Sequence, residues 1–366
     1  MKSPFEQILF IGPHYINHRG GIGAVLEIYS RHIAPFNFIA TFSYRKKYFE
    51  LFFYIGALLK VSYKLLTNRK IKVVHIHGAK DGSVVRKVMV CFIAKKIFFR
   101  KVVYHIHSGA YEDRYNRRNG LYRALVRFII RNSEAIIVLS PKWFDFFNSN
   151  FKIKKMLVIR NPVEESISEV AAAHVNGKVN GSVNGNGTGV FKFLFLGKIV
   201  DHKGIFDLVN LFGDEQDYLR GKCKLYAGGN HEVDKLLQMI EEKKISDIVE
   251  YIGWTQGQEK ANYFKECDCF ILPTYVEAMP MTMLEAFSYG KPVITTPVGS
   301  IPEILEHNYN GLLFEPGNMP DLKKLITQVI SDRCQTQKMG KNAFQKISEF
   351  YPSAIKTELE KLYATI

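Results

Sequence analysis

The chain has 366 residues, 47% hydrophobic and 23% charged, which is too apolar for a disordered chain and long enough for two domains. No apolar run approaches the ~20 residues of a bilayer span, since Lys60 ends the run at 51–59; Glu6 stands where a signal peptide would carry its apolar core, so a soluble, cytosolic chain is expected. Charge is uneven: residues 1–165 hold 29 basic and 10 acidic side chains (+19) and residues 166–366 hold 21 and 25 (−4), which points the first half toward a polyanion, nucleic acid or an anionic membrane.

In chain order, short β-branched apolar runs predict strands at 8–11, 73–76, 102–106, 135–139 and 156–159, with helices at 23–33, 50–66, 83–97 and 121–132 between them. The second half repeats the scheme with strands at 191–196, 223–227, 249–252, 269–272 and 292–295. Strands apolar throughout and separated by helices imply parallel sheets covered on both faces, hence an α/β chain of two doubly wound domains. Between the halves Val-Asn-Gly recurs from Val175, Val179 and Val183 within a Gly/Asn-rich stretch, 166–189, expected to be a flexible linker or surface loop. The glycosylation-type triplets at Asn180 and Asn186 are accidents of that composition in a cytosolic chain. The five cysteines are scattered, and Cys267-Asp268-Cys269 has the wrong spacing for a zinc knuckle, so these two thiols are expected as small buried hydrophobes.

Among motifs, the Walker A loop, GxSxG elbow, HExxH helix and any Asp-x-Asp pair are missing. Gly21-Ile22-Gly23 is a partial dinucleotide fingerprint whose third position is Leu26; the loop 20–23 at a helix start is either an anion site or a plain turn. After the strand at 193–196, Lys198 and Lys203 flank a loop before a helix at 205–212. They can converge with the helix N-terminus on a diphosphate, or be two solvated surface lysines. Farther on, a strand ends at Pro273, a loop carries Glu277, and Glu285 lies one to two turns into a helix beginning near Pro280. Carboxylates so placed suit vicinal hydroxyls of a ribose or hexose. The plainer reading of Glu285 is a surface glutamate, although Met283, Leu284, Ala286 and Phe287 around it look buried. The His75/His77 and His105/His107 pairs suggest a metal, but no carboxylate or cysteine stands nearby to complete a site. Packing or solvent contact is the plain reading of His107.

The stretch 272–303, with Glu277 and Glu285 eight apart, Tyr289-Gly290-Lys291-Pro292-Val293-Ile294, Val298-Gly299-Ser300 and Ile301-Pro302-Glu303, resembles the retaining glycosyltransferase family four. The glycine loop at 20–23 and the Gly197-Lys198…Lys203-Gly204 pair extend the likeness over nearly the whole chain apart from the linker. The resemblance implies a GT-B fold, two Rossmann-like domains facing a central cleft: an acceptor-side domain at 1–165, a nucleotide-sugar domain at 190–349, and a helix at 350–366 packing back on the first. It implies a metal-independent enzyme with no cofactor, in which Glu277 contacts the donor sugar, Glu285 the ribose, and Lys198 and Lys203 the departing diphosphate. His107 matches a family histidine near the transferred sugar. Gly21, Gly23, Ala278, Met279 and Met281 fall at donor-binding positions. Lys198 stands where the family commonly carries Arg, keeping the charge without the bidentate fork, and Ala278 replaces the usual Gly.

Arg123, Arg127 and Arg131 recur every four residues as a basic stripe, and 44–72 mixes lysine and arginine with aromatics, which suits an anionic leaflet; read alone, the helix at 50–66 is a core helix. The expectation is therefore a hexosyltransferase using a nucleotide-diphosphate sugar, UDP ahead of GDP. Its acceptor is a saccharide, lipid-linked, in cell-surface polysaccharide synthesis, and the enzyme is peripheral on the inner face of the plasma membrane. The alternatives are a nucleic-acid-binding protein using the basic half, which lacks any zinc finger, RNP-like or KH signature, a catalytically silent sugar-nucleotide sensor, and a GT-B epimerase.

Overall fold

A computed structural model describes residues 3–16, 18, 20–43, 47–79, 81–109, 111–165 and 189–366; the Asn/Gly-rich stretch up to residue 188, with its repeats and triplets, lies outside the described residues, as do Arg45 and Lys46. By contact density the chain divides into two units, Met1–Val163 with Phe350–Ile366, and Glu164–Glu349.

The first unit holds β1 (Ile8–Gly12), β2 (Phe38–Ala40), β3 (Val73–Gly78), β4 (Lys101–Ile106), β5 (Ala135–Val138) and β6 (Met156–Val158). The second holds β7 (Phe191–Leu196), β8 (Cys223–Gly228), β9 (Val249–Tyr251), β10 (Cys269–Leu272), β11 (Val293–Thr295) and β12 (Gly311–Leu313). Every pairing among them is parallel, in the orders 2-1-3-4-5-6 and 12-11-10-7-8-9. Each order reverses direction once, at β1/β3 and at β7/β10. Such reversals open a crevice at the carboxyl ends of the strands, because the connections on either side leave in opposite directions.

Strand alternation gives the first sheet two chemically different faces. Val74, Ile76, Val102, Tyr104 and Ile106 pack under the helices Lys47–Thr67, Gly82–Phe92 and Gly120–Asn132, through Val61, Leu65, Val84, Val90, Val126 and Ile129. The opposite face carries Phe10, His75, His77 and His105 and is covered by the helices Gly21–His32 and Pro352–Thr365. Tyr363 closes this side, edge-on to Phe5 at 5.8 Å between ring centroids, with its hydroxyl 2.5 Å from His75 Nδ1.

Four sequence expectations need correction. Gly21 and Gly23 are not loop residues: the helix begins at Gly21 after an extended Gly20, and a Cβ on residue 23 would stand 2.2 Å from the Cβ of His18. The predicted helix at 83–97 is an α-helix only to Phe92. Its last turn, Ile93–Ile97, widens so that the Phe98 N–H donates to the Ile93 carbonyl five residues back at 3.1 Å. The helix at 50–66, a core helix when read alone, runs over Lys47–Thr67 and buries only one side; Ala57, Val61 and Leu65 are buried while Phe52, Leu59 and Tyr63 are exposed. Strands β2 and β12 were not anticipated, because three residues at a sheet edge show no period. As expected, Cys267 and Cys269 are buried free thiols; Cys334 is exposed.

Leu359, fully buried on the helix Pro352–Thr365, tests the attachment of that helix to the first unit. Leu359→Ala should lower the unfolding free energy of that unit by about 2–4 kcal/mol, read by urea titration of Trp143 fluorescence in a Trp254→Phe background.

Candidate functional site

In the second unit the reversal between β7 and β10 brings two loops together. The loop after β7 makes one tight turn at Asp201–Lys203, passes through Gly204 in the left-handed region (φ 70°), and enters the helix Ile205–Asp214, whose N-terminus no side chain caps. The loop after β10 runs from Pro273 to Pro280, from which the helix Met281–Ser288 starts. A Cβ on Gly204 would stand 1.9 Å from the Pro273 carbonyl oxygen, so only glycine allows this approach. The Tyr275 N–H donates to the His202 carbonyl at 2.9 Å and the Thr274 hydroxyl to the same oxygen at 3.1 Å. Just past β11, the Thr296 hydroxyl donates to the Thr274 carbonyl at 2.5 Å.

This scaffold places Lys203 against Glu277: the ammonium donates to Glu277 Oε1, and both side chains are largely shielded, 16% and 13% exposed. Gly299 (φ 61°) fixes the carboxylate's backbone, since a Cβ there would stand 2.3 Å from the Glu277 carbonyl oxygen. Ser300 donates to the Ala278 carbonyl through its N–H at 2.9 Å and its hydroxyl at 2.6 Å. Ala278 keeps out of the left-handed region, so alanine fits there without strain. Met279 and Met281 are buried beside it. Glu285 lies on the inner side of its helix and accepts from Lys260 at 2.7 Å through Oε1, while Oε2 is buried with no hydrogen-bond partner. Glu285 is thus not a plain surface residue. Lys198 is exposed, next to Gly197 at the end of β7. Lys260 had no sequence signal, being one lysine on the polar helix Gly257–Glu266.

In the first unit, β3, which borders the reversal, and its neighbour β4 set four imidazoles in a column, with ring centroids 4.5 Å apart for His75/His77 and 4.0 Å for His105/His107. His75, His77 and His105 are fully buried; His107, one residue past β4, reaches the surface. Asn161 Oδ1 lies 3.1 Å from His107 Nδ1, and His77 Nδ1 lies 2.9 Å from His107 Nε2. With the amide oxygen accepting, His107 holds its proton on Nδ1 and accepts from His77 Nδ1–H, leaving His77 Nε2 a buried, unpartnered lone pair. Burial is the largest cause lowering the basicity of all four, with neighbouring imidazoles adding to it at His75, His77 and His105. His75 falls to about 3. One nitrogen from each of His75, His77 and His105 lies within 4.8 Å of the others. However, the His75 and His77 rings are only 9° from parallel in a stack, so their in-plane lone pairs run side by side rather than converging on one ion.

The arginine stripe is partly committed to its own unit: Arg123 Nε donates to the Arg118 carbonyl at 3.1 Å and Arg127 Nε to the Tyr115 hydroxyl at 3.0 Å. Arg127 and Arg131 remain exposed.

The second unit and the first match two family models, glycosyl transferases group 1 over residues 182–346 and glycosyltransferase family 4 over residues 24–166. The chain belongs to the family-four, group 1 glycosyltransferases. An uncharacterized glycosyltransferase of Methanocaldococcus jannaschii is 29% identical over 60% of this chain and 63% of its own length. An uncharacterized 41.2 kDa protein of the cps region of Klebsiella pneumoniae is 24% identical over 74% and 72%. The chain thus spans less than two thirds of the first of these relatives. Among solved structures, Anabaena HepE in complex with UDP-glucose superposes with a TM-score of 0.75 at 19% identity, covering 98% of this chain and 99% of that one. Sucrose-phosphate synthase of Thermosynechococcus elongatus gives 0.77 at 17%, covering 98% of both. The fold is therefore GT-B, with each unit one Rossmann-like half.

Two outcomes test this geometry in the glycosyltransferase. Gly204→Ala should cost roughly 2–4 kcal/mol of second-unit stability, because the methyl group meets backbone rather than a movable side chain; Trp254 fluorescence in urea measures it. The histidine column should make the first unit acid-sensitive. The folded imidazoles stay neutral while the unfolded chain takes up protons below pH ~6.5, so stability is full above that pH and falls on acidification. The slope should approach about 1.4 kcal/mol per pH unit for each histidine involved between pH 6 and 5, seen in urea midpoints of the Trp143 signal and flattened by His105→Asn.

Proposed function

We propose that this glycosyltransferase moves a hexose from a nucleotide-diphosphate sugar, with UDP ahead of GDP, to a saccharide acceptor, retaining the anomeric configuration and using no metal. The observation that carries the reading is the shielded Lys203–Glu277 pair beside the uncapped start of the helix Ile205–Asp214. Donor binding exchanges partners in that pair. The diphosphate takes the Lys203 ammonium, Lys198 and the first-turn N–H groups, and the sugar hydroxyls take the Glu277 carboxylate. Glu285, with Lys260 on Oε1, offers its unpartnered buried Oε2 to the ribose hydroxyls. Met279, Met281 and Ala278 line the donor position as the family resemblance assigns them; in the first unit the same resemblance assigns Gly21, Gly23 and His107.

Charge then explains rate. As the glycosidic bond breaks, the sugar gains oxocarbenium character and the diphosphate gains negative charge. Fixed cations and amide N–H groups stabilise that charge more in the transition state than in the ground state, which lowers the barrier.

The UDP preference is supported by the fold neighbour solved with UDP-glucose. A lipid-linked saccharide acceptor is supported by a relative from Campylobacter jejuni, 25% identical over 46% of this chain. That relative is named an N-acetylgalactosaminyltransferase acting on a diphospho-undecaprenol-linked sugar. The +19 charge of residues 1–165, with Arg123, Arg127 and Arg131 in it, supports work at an anionic membrane, on its cytoplasmic face, in cell-surface polysaccharide synthesis.

Calorimetric titration with UDP, GDP and ADP in EDTA tests the core of the reading. UDP should bind without metal, Lys203→Ala should weaken it about 10- to 100-fold by removing a charge-assisted contact, and Glu285→Ala by about tenfold. No diphosphate binding in EDTA, or variants that both bind UDP as tightly as the parent chain, would defeat the proposal.

A further inference from the structure

The helix Lys47–Thr67 is apolar on both sides. Ala57, Val61 and Leu65 face the sheet, yet Phe52, Ile55, Leu59, Tyr63 and Leu66, spaced three or four residues apart, form a second stripe that faces water, each 46–74% exposed. The neighbouring helix Gly82–Phe92 repeats the pattern with Val85, Met89 and Phe92, all exposed, and the Tyr54 hydroxyl ties the two helices by donating to the Arg86 carbonyl at 2.7 Å. Just beyond, Phe99 is 84% exposed. Single exposed apolar residues are ordinary; two adjacent helices each carrying an outward apolar stripe mark a surface that something covers.

Charge identifies what covers it. Residues 51–100 contain eleven basic side chains and one acidic one, Asp81, whose carboxylate is already engaged by Arg118 at 2.6 Å and Arg114 at 3.8 Å. Glu50, at the head of the helix, accepts from the Ser43 hydroxyl at 2.9 Å. Lys60, Lys64 and Lys96 therefore frame an apolar surface on which the one intervening carboxylate is spoken for. A second copy of the chain would set this cationic face against itself, and a nucleic acid would leave the apolar stripe without a partner.

We infer that this two-helix face docks into an anionic lipid bilayer, with Phe52, Leu59, Tyr63 and Leu66 entering the boundary between headgroups and acyl chains and the lysines lying at the headgroup phosphates. The inference deepens the membrane-borne-acceptor reading and rests on it; it adds the contacting residues and an apolar mode of contact that charge alone does not give.

The full chain is sedimented with vesicles of phosphatidylcholine alone or mixed with phosphatidylglycerol, at low and high salt. Binding should require phosphatidylglycerol and persist in part at high salt, because apolar burial is not screened. The exposed-site triple substitution Phe52→Ser, Leu59→Ser, Tyr63→Ser should reduce it about tenfold or more. Its UDP affinity should be unchanged, which separates failure of this inference from failure of the donor reading. In a second variant, Leu59→Trp, emission should shift to the blue and be quenched by brominated lipid. The inference is overturned by absence of vesicle binding, by a triple variant that binds like the parent, by Leu59→Trp emission that lipid does not alter, by a dimer in light scattering that the triple substitution dissolves, or by oligonucleotide binding that outcompetes vesicles and ignores the triple substitution.

Discussion

The carbonyl oxygen of Pro273 occupies the space where residue 204 would carry a side chain, and the geometry of the Lys203–Glu277 pair follows from that approach. Because Gly204 lets the two loops touch, Tyr275 and Thr274 can bond the His202 carbonyl, and Lys203 on one loop meets Glu277 on the other. Gly299 repeats the device from the far side, pressing on the Glu277 carbonyl. Two glycines with positive φ and three hydroxyls thus hold a cation and a carboxylate in register, the one at the end of a single helical turn and the other on a loop. A site built this way fixes its backbone by close contacts and leaves its charges on side chains.

The first unit solves a different problem at the equivalent place. On β3, which borders its reversal point, and on the next strand β4 it carries imidazoles kept neutral by burial and by one another, a polar column inside a sheet core. Asn161 sets the proton on His107, and His77 completes the polarity behind it. The surface histidine is thereby presented in one tautomer by residues that never reach solvent.

Much of this was legible in the chain itself. Apolar runs such as 191–196 and 269–272 read as buried parallel strands because both their faces are covered, and Glu277 and Glu285 stood out because a strand end, a loop and a helix start follow one another within a short stretch. What stayed hidden depends on pairing across long separations. Lys260 meets Glu285 from 25 residues away, and Tyr363 meets His75 from 288 residues away; no local pattern marks either. The helix Lys47–Thr67 misled for a physical reason: a helix apolar on every side has the same sequence signature whether protein or something else covers its outer half.

The helix Pro352–Thr365 belongs to the unit with which the chain opens: Ile355, Leu359 and Leu362 are buried, and Tyr363 packs on Phe5 and His75. On the ribosome this inverts the usual order, in which the N-terminal domain closes first. Residues 164–349 form a unit contiguous in sequence, which waits for no segment beyond residue 349. The first unit must wait, with its histidine column uncovered on one side, until the last segment has been made. Its outward apolar helix is exposed through that whole interval, so the unit that carries this surface is completed only after residues 352–365 have been made.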